Sequence, residues 1–378
     1  MSTYVSSWPG LSPADFLKPR KAATPPVPLN DEGTLYFHRA RNALFHLVRA
    51  LAFEPGESVL VPDYHSGNEV AAIRAAGATI RYYPVRRNLQ PDLDVLTGLS
   101  RSNARALLVI HFFGWPQPLN ELVALCRERG MILIEDCALA LLSESEGRAL
   151  GTFGDYAIYC LYKTLPVPNG AALAQGRGAL DGLHALTLTP CGAASVAGRS
   201  AELLLERLRS RANGLGDGLA RAKRASGRAL TAWGVPRVPV GDIGFDLAHV
   251  NVAMSPLSDW LLKRFDYDSI RRRRRENAAL MRERLPDSVV LIKEPMAEGV
   301  CPLFFPVVVA EKRAAAEALW RRGIGAIECW NAGHPEATTG PDATFLRQHV
   351  LELPIHQDIT PAQVEYMANQ VSDLRLHL

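Results

Sequence analysis

The 378-residue chain predicts an α/β fold, with a mostly parallel central sheet carrying helices on both faces and a smaller C-terminal α+β domain. Three observations carry this expectation. Between Ser58 and Gln175 short apolar runs alternate with helix-length segments, as strands joined by crossover helices do. Those runs are apolar throughout rather than at every second residue, which marks strands covered on both faces. With 48% hydrophobic residues the chain can bury a large core, and because single cores stop growing near roughly 250–300 residues, two unequal domains are expected.

The elements follow in order. Residues 1–33, Pro-rich at "KAATPPVPLNDEG", read as an arm lying over a surface. A large domain is expected over 34–245. It opens with "RNALFHLVRALAF", which puts Ala43, Leu44, Leu47, Val48 and Leu51 on one helical face, and "EPGE" ends that helix. "SVLVP" and "ATIRYYPV" read as strands around the helix "GNEVAAIRAAG"; "ARALLVIHFFG" is a strand, "LNELVALCRERG" a helix, and "MILIEDC", "DYAIYCLY" and "GAALAQG" further strands. After Gly176 the composition shifts to Ala, Gly, Leu and Arg, and the amphipathic stretch beginning "AELLLERLRSR" predicts a helical excursion over about 177–243. A small domain over 246–378 is expected to hold one helix across "PLSDWLLKRFDYDSIRRRRRENAALMRERL", strands "VVLI" and "LFFPVVV", and helices "KRAAAEALWRRG" and "TPAQVEYMANQVSDL".

Composition excludes several functions. A formal charge of +3 is too mild to indicate nucleic acid, and the one dense basic block, Arg271 to Arg275, has acids nearby and reads as a solvated or intersubunit helix face. The six cysteines show no C-x-x-C pair, so no metal site and no disulfide framework is expected, and reduced thiols in a cytoplasm are the plain expectation. No run reaches 18 apolar residues and the N-terminus lacks an apolar core behind a basic start, so neither membrane spanning nor secretion is expected.

In open α/β sheets ligands bind beyond the carboxyl ends of the strands, and there the sequence places His111, Asp136 and Lys163. The chain has only seven lysines, and Lys163 alone directly follows an apolar strand, in "IYCLYKTLP"; the other six stand in polar contexts expected to face solvent. A desolvated amine has its pKa pushed down and becomes a nucleophile or Schiff-base partner. Asp136 ends "ILIED", and a buried carboxylate needs a positive partner or stays protonated. Two partners are open on the residues alone: Lys163 itself, in a structural ion pair, or the protonated pyridine nitrogen of pyridoxal phosphate.

From about Tyr36 to Gly176, and more weakly from Gly244 onward, the chain resembles the DegT/DnrJ/EryC1/StrS family of sugar aminotransferases, pyridoxal-phosphate enzymes of fold type I. "EPGESVLVPDYHSGNEVAAIRAAGATIRYYPV" is similar to the family's P-G-D-E-V-I-V-P opening with its later A-G-A. "VIHFFGWPQPLNELVALCRERGMILIEDCA" is similar to its H-x-x-G, helix and E-D-A-A, and "GTFGDYAIYCLYKTLPVPNGAAL" to its G-S-F-G-D, lysine and Gly-rich strand. The resemblance implies pyridoxal 5'-phosphate as cofactor, a homodimer with shared active sites, and amino transfer from an amino acid to a keto-sugar or related small carbonyl. The altered pocket leaves elimination or decarboxylation on the same scaffold as an alternative, or a non-catalytic regulatory dimer.

By position, Lys163 matches the Schiff-base lysine and Asp136 the carboxylate at the pyridine nitrogen. Arg41 and Asn42 fall where the family holds the cofactor phosphate. Tyr64 and His65 lie in the segment that supplies a stacked ring, although the family's aromatic often falls where this chain has Ser66. Cys160 stands for a serine that often ligates phosphate, and His111 matches the histidine of H-x-x-G. Trp330, Asn331 and His334 match the loop that closes over substrate. Leu139 replaces a glutamine, and Asp246 and Ala248 replace the Asn and Arg of G-x-N-x-R. A carboxylate near a phosphate is repulsive, so Asp246 is expected to have another task. These departures imply a divergent branch and argue against a nucleotide-linked substrate: its diphosphate would need replacement cations, and those the sequence offers, Arg321, Arg322 and Arg347, lie on helical segments expected to face water.

Overall fold

The structure, a computed structural model, describes residues 3–17, 24–211, 244–292, 294–335 and 339–373. Its central sheet is built from β1 (Leu35–Phe37), β2 (Ser58–Pro62), β3 (Thr79–Tyr83), β4 (Ala104–Ile110), β5 (Ile132–Asp136), β6 (Tyr156–Cys160) and β7 (Ala171–Gln175). The spatial order is β1-β7-β6-β5-β4-β2-β3. Strands β2 to β6 run parallel, while β7 is antiparallel to both β6 and β1. The reversal has a simple cause: only residues 161–170 join β6 to β7, too few for a parallel crossover.

Every residue of β2, β5 and β6 is buried, as the unbroken apolar runs require. On one face α1 (Ala40–Leu51) lays Ala43, Leu44, Leu47, Val48 and Leu51 against Val59, Ile134, Ile158 and Leu173. The other face packs Leu60, Leu107, Val109 and Leu133 against Leu122 and Leu125 of α4 (Leu119–Arg129). Each such side chain contributes about 1.5–3 kcal/mol by leaving water. Between these helices in the chain stand α2 (Asn68–Ala75) and α3 (Leu93–Leu99).

Beyond α5 (Ala193–Arg211) and α6 (Tyr267–Arg284), a second, antiparallel sheet joins β8 (Phe304–Val308), β9 (Ile327–Glu328) and β10 (Val350–Pro354) in the order β8-β10-β9. Helices α7 (Lys312–Arg321), α8 (Pro341–His349) and α9 (Pro361–Asp373) accompany it. Of the helical excursion, a short turn at Asp181–His184 and α5 are described; residues 212–243 lie outside the described residues. The N-terminal segment runs between α5 and this sheet. Val5 bridges to Ile324, Ser6 meets His356 Nε2 at 3.2 Å, and the Leu11 amide donates to Leu203 at 3.1 Å. At Gly10 a Cβ would lie 2.6 Å from the Arg207 backbone, so only glycine allows this approach.

Four local expectations change. The single helix expected from Pro256 onward is two, Pro256–Leu262 and α6, because Asp266 caps a new start by accepting the Ser269 amide at 3.0 Å. "VVLI" is not a strand; Val290 makes one bridge, to Val307. The five arginines do not share a face, since each helical residue turns by about 100°: Arg272 and Arg273 reach toward Glu276, Arg271 pairs with Glu144, and Arg274 is buried. Lys312 is likewise buried rather than solvated, its Nζ donating to the Cys329 carbonyl and, at 2.9 Å, to that of Arg347. Among the described residues no helix is long and apolar enough to cross a membrane.

Candidate active site

Parallel strands of matched register end together, and here Ile110 pairs with Asp136 and Asp136 with Ile158. Asp136 is thereby delivered to the carboxyl edge of the sheet. From the end of β6 the chain makes a single helical turn, Leu161–Thr164, which carries Lys163. The turn is fixed by Leu161 N–H donating to Gly170 (3.0 Å) and Leu165 N–H to Leu161 (2.9 Å). Arg41, Asp136, Cys160 and Lys163 line one cavity, with Ser66 and Glu69, around some 460 Å³ of empty space.

The electrostatics of this cavity are specific. The Asp136 carboxyl is pushed up to about 7, first by burial and then by the Glu69 carboxylate, against the opposing effects of the Ala138 amide and Lys163. That amide donates to Asp136 Oδ1 at 2.8 Å. A cation placed against Asp136 would favour its ionised form. At another part of the wall α1 begins with no side-chain cap, its N-cap Arg39 supplying none, and Ala40 and Arg41 face the cavity. The amides at a helix start, the positive end of its dipole and a guanidinium make a seat for an anion. Pyridoxal phosphate carries an anionic end, a protonable ring nitrogen and a carbonyl carbon; the cavity offers a cationic helix start, a buried carboxyl and an amine. The donor set fits the group.

Four residues expected in this cavity stand elsewhere. Asn42, one residue round the helix from Arg41, is buried and donates to the His249 carbonyl at 2.8 Å, pinning α1 to that segment. Tyr64 packs among aromatic rings, 5.5 Å from Phe112 and 5.0 Å from Trp330, with its hydroxyl 3.6 Å from Cys329 Sγ. His65 is fully buried and stacks on Tyr82 at 5.8 Å; burial and the Arg347 charge lower its pKa to about 3, so it stays neutral. Of this segment it is Ser66 that reaches the cavity wall.

His111 meets Glu135 rather than the cavity. Its Nδ1 accepts the Gln117 amide at 3.2 Å, so Nε2 carries the proton and donates to Glu135 at 3.0 Å. Glu135 also accepts the amides of Gly151, Phe153 and Gly154. Burial works against this carboxylate, yet His111 and the amides outweigh it and hold its pKa below the usual value. The "ED" pair thus divides its work, Glu135 fixing the 151–154 loop and Asp136 facing the cavity.

Lys163 and Tyr162 also line a second chamber of about 860 Å³, bounded by Trp8, Phe304, Trp330 and Leu139 and by the charged Arg199, Glu328 and Glu352. Trp8 comes from the N-terminal segment and meets Phe304 edge-on at 4.9 Å. Trp330 therefore does stand with Lys163. Its backbone is held left-handed, at φ 41°, while its carbonyl accepts from Arg347 Nη1 at 3.0 Å. Asn331 and His334 lie in an adjoining groove that shares Ser66 and Asn68 with the first cavity and Glu328 and Trp330 with the chamber.

None of the three replacement cations lines the chamber. Arg347 is committed to the carbonyls of Asp63, His65 and Trp330, Arg322 donates to Ala318, and Arg321 is largely exposed, 4.0 Å from Glu317. Asp246 caps a short turn, accepting from Ala248 N–H at 2.9 Å and meeting His249 Nδ1 at 2.7 Å. Sequence reasoning missed Glu69, Trp8, Arg199 and Glu352. Only Glu69 had a local signal, the S-x-x-E spacing from Ser66, and that signal announces a helix start. In the structure the N-cap is Gly67, which makes no side-chain cap, and Ser66 Oγ instead donates to the Glu69 carboxylate at 2.7 Å.

Comparison with known proteins adds the following. Residues 35–174 match the model of the DegT/DnrJ/EryC1/StrS aminotransferase family. The chain is 32% identical over 157 residues to a dTDP-4-dehydro-2,3,6-trideoxy-D-glucose 4-aminotransferase of Saccharopolyspora spinosa, covering 41% of this chain and 40% of that protein. It is 28% identical over 158 residues to a GDP-perosamine synthase of Vibrio cholerae, covering 42% and 40%. The chain thus spans about two-fifths of the length of these curated relatives. In fold it is similar to the solved Helicobacter pylori aminotransferase PseC (TM-score 0.68, 15% identity, 98% of each chain). It is also similar to the sugar aminotransferase CalS13 of Micromonospora echinospora (TM-score 0.64, 20% identity, 98% of this chain and 99% of that one).

Proposed function

We propose, from the premise that residues 35–174 are a DegT/DnrJ/EryC1/StrS aminotransferase family domain, that this chain is a pyridoxal-phosphate-dependent aminotransferase. It moves an amino group from an amino acid to a keto-sugar or related small carbonyl. The observation that carries the proposal is the convergence of Lys163, Asp136 and the uncapped start of α1 on one cavity. When bound, the cofactor supplies an electron sink in its protonated ring. Arg41 and the first amides of α1 hold its phosphate. Asp136 would keep the ring nitrogen protonated, and the buried Ile158 and Cys160 would exclude water beside it. Lys163 Nζ would hold the carbonyl carbon of the group, and as a neutral amine it would take a proton from the substrate carbon and return one. Because Lys163 borders both cavities, the substrate enters from the chamber side. The relatives' family and the resemblance of the chain support a cytoplasmic homodimer with shared active sites as the working form.

The test loads the protein with pyridoxal phosphate and follows the visible spectrum on adding L-glutamate. Borohydride reduction should fix the cofactor on the Lys163 peptide, and 2-oxoglutarate should form in one equivalent. Equal fixation in Lys163→Ala would remove Lys163 from its role, and release of carbon dioxide or ammonia without amine retention would replace transfer by decarboxylation or elimination.

A further inference from the structure

The chamber beyond Lys163 contains one cation that no step above has used. Arg199 comes from α5, the helix of the excursion, and lines the chamber together with Lys163, Trp8, Trp330, Glu328 and Glu352. Its Nη1 is held by Glu202 at 2.9 Å, toward solvent, and the side chain is 28% exposed. Its Nε, however, is buried and has no acceptor among the described residues. An anion entering the chamber meets the guanidinium on its wall, where a charge-assisted contact is strong.

The charge around the chamber limits what that anion can be. Lys163 and Arg199 face Glu328 and Glu352. Glu328 is already paired with Arg313 Nη1 at 2.7 Å, and Glu352 is buried against Cys329. A single carboxylate adds one negative charge beside Arg199, whose planar fork matches it. A diphosphate adds two, next to two carboxylates and with one guanidinium, already paired with Glu202, to meet them. Every amino-acid donor brings a carboxylate on the carbon that reacts at Lys163. We infer that Arg199 is the anchor for the carboxylate of the amino donor, and that α5, braced by the N-terminal segment, serves in part to deliver it. The inference rests on the amino-transfer reading.

Arg199 does not line the cofactor cavity, so its replacement leaves cofactor loading intact. In the loaded protein, Arg199→Gln should raise the L-glutamate concentration that half-saturates the donor half-reaction by about 10- to 100-fold, the loss of one charge-assisted contact, with little change in the maximal rate; Arg199→Lys should recover part of it. The second readout is binding of glutarate, a dicarboxylate without an amine, by quenching of tryptophan fluorescence. Wild type should bind glutarate at least tenfold more tightly than Arg199→Gln, while the neutral diamide glutaramide should not distinguish them. Equal glutarate binding by both proteins, or no glutarate binding by wild type, overturns the inference, as does a fall in maximal rate with unchanged half-saturation. If wild type shows no half-reaction with any amino acid yet glutarate still separates the two proteins, the amino-transfer reading fails and the carboxylate site stands.

Discussion

Replacing Arg274 by methionine is expected to destabilise the chain by about 2–4 kcal/mol and to loosen the turn that carries Lys163. The side chain is 1% exposed and has no carboxylate in its hydrogen-bonding shell. Its Nε donates to Gln357 Oε1 at 2.9 Å, Nη1 to the carbonyls of Leu303 at 2.9 Å and Pro302 at 3.3 Å, and Nη2 to that of Thr164 at 3.1 Å. Thr164 O also accepts from Gln357 Nε2 at 3.1 Å, so it keeps a donor. Methionine therefore leaves three acceptors short, each worth roughly 1–3 kcal/mol when buried. Against this stands the relief of burying a guanidinium, whose cost shows in a pKa pushed down to about 10, chiefly by burial, and the apolar packing that methionine retains. Urea unfolding of the cofactor-free protein, with the slope held constant between variants, measures the difference. Arg274→Lys should fall between, since a point charge cannot serve four spread acceptors. A loss below about 0.5 kcal/mol would show that the carbonyls find other donors and that this arginine does not brace the lysine turn.

Gly151 sits at φ 91°, where a Cβ would lie 1.8 Å from the Tyr159 hydroxyl; Gly151→Ala should cost about 3 kcal/mol or more, and an unchanged melting temperature would contradict it. Glu135→Gln turns one acceptor into a donor facing backbone amides, so a loss of about 2–4 kcal/mol is expected near neutral pH. Because the folded pKa of Glu135 is lowered, the stability it contributes is present above its unfolded pKa and declines on acidification. The gap between wild type and variant should accordingly shrink in acid, and a gap that widens there would refute the assignment. Asp136 has the opposite sign. With its folded pKa raised to about 7, the fold holds the proton that the unfolded chain gives up near about 4, so the stability from this group falls as pH rises between those values. Urea midpoints at pH 5 and 8 should show a steeper decline for the cofactor-free wild type than for Asp136→Asn; parallel declines would refute it.

The part of the chain that forms the central sheet was legible because parallel strands buried on both faces must be apolar throughout, and a charged residue at the end of such a run has no packing reason to be there. That argument reached Asp136 and Lys163 directly. It could not say which way neighbouring residues point: Asn42 is turned from the cavity by one helical step from Arg41, and Tyr64 and His65 pack inward while Ser66 faces the wall. His111 looked like a site residue because its acceptor, Glu135, lies 24 positions away and nothing local announces the pair. Lys312 looked solvated because backbone carbonyls, its actual partners, leave no trace in a sequence. The chamber was hidden for a stronger version of the same reason, since Trp8, Arg199, Trp330 and Glu352 come from four distant segments.

The departures from the family pattern sort themselves between the two cavities. Ala138 lines the cofactor cavity while Leu139, its neighbour, lines the chamber and is 5% exposed. The leucine that replaces a polar residue therefore bears on what the chamber accepts. Cys160 lies in the cofactor cavity, where a thiol is a weaker hydrogen-bonding group than a hydroxyl, and Arg41 with the open start of α1 stands on the same wall to compensate. Asp246 is spent on capping its own turn, so its change from the family's residue removes a contact rather than adding a repulsive one. On the proposed aminotransferase reading, the first cavity has kept the charges that pyridoxal-phosphate chemistry requires, and the changes that bear on substrate gather where Leu139 meets Trp8, Phe304 and Trp330. On the same reading, an acceptor that fits this wall would present an apolar ring face to the aromatics and hydroxyl groups to Glu328 and Glu352, which is the direction in which a search for the carbonyl substrate should start.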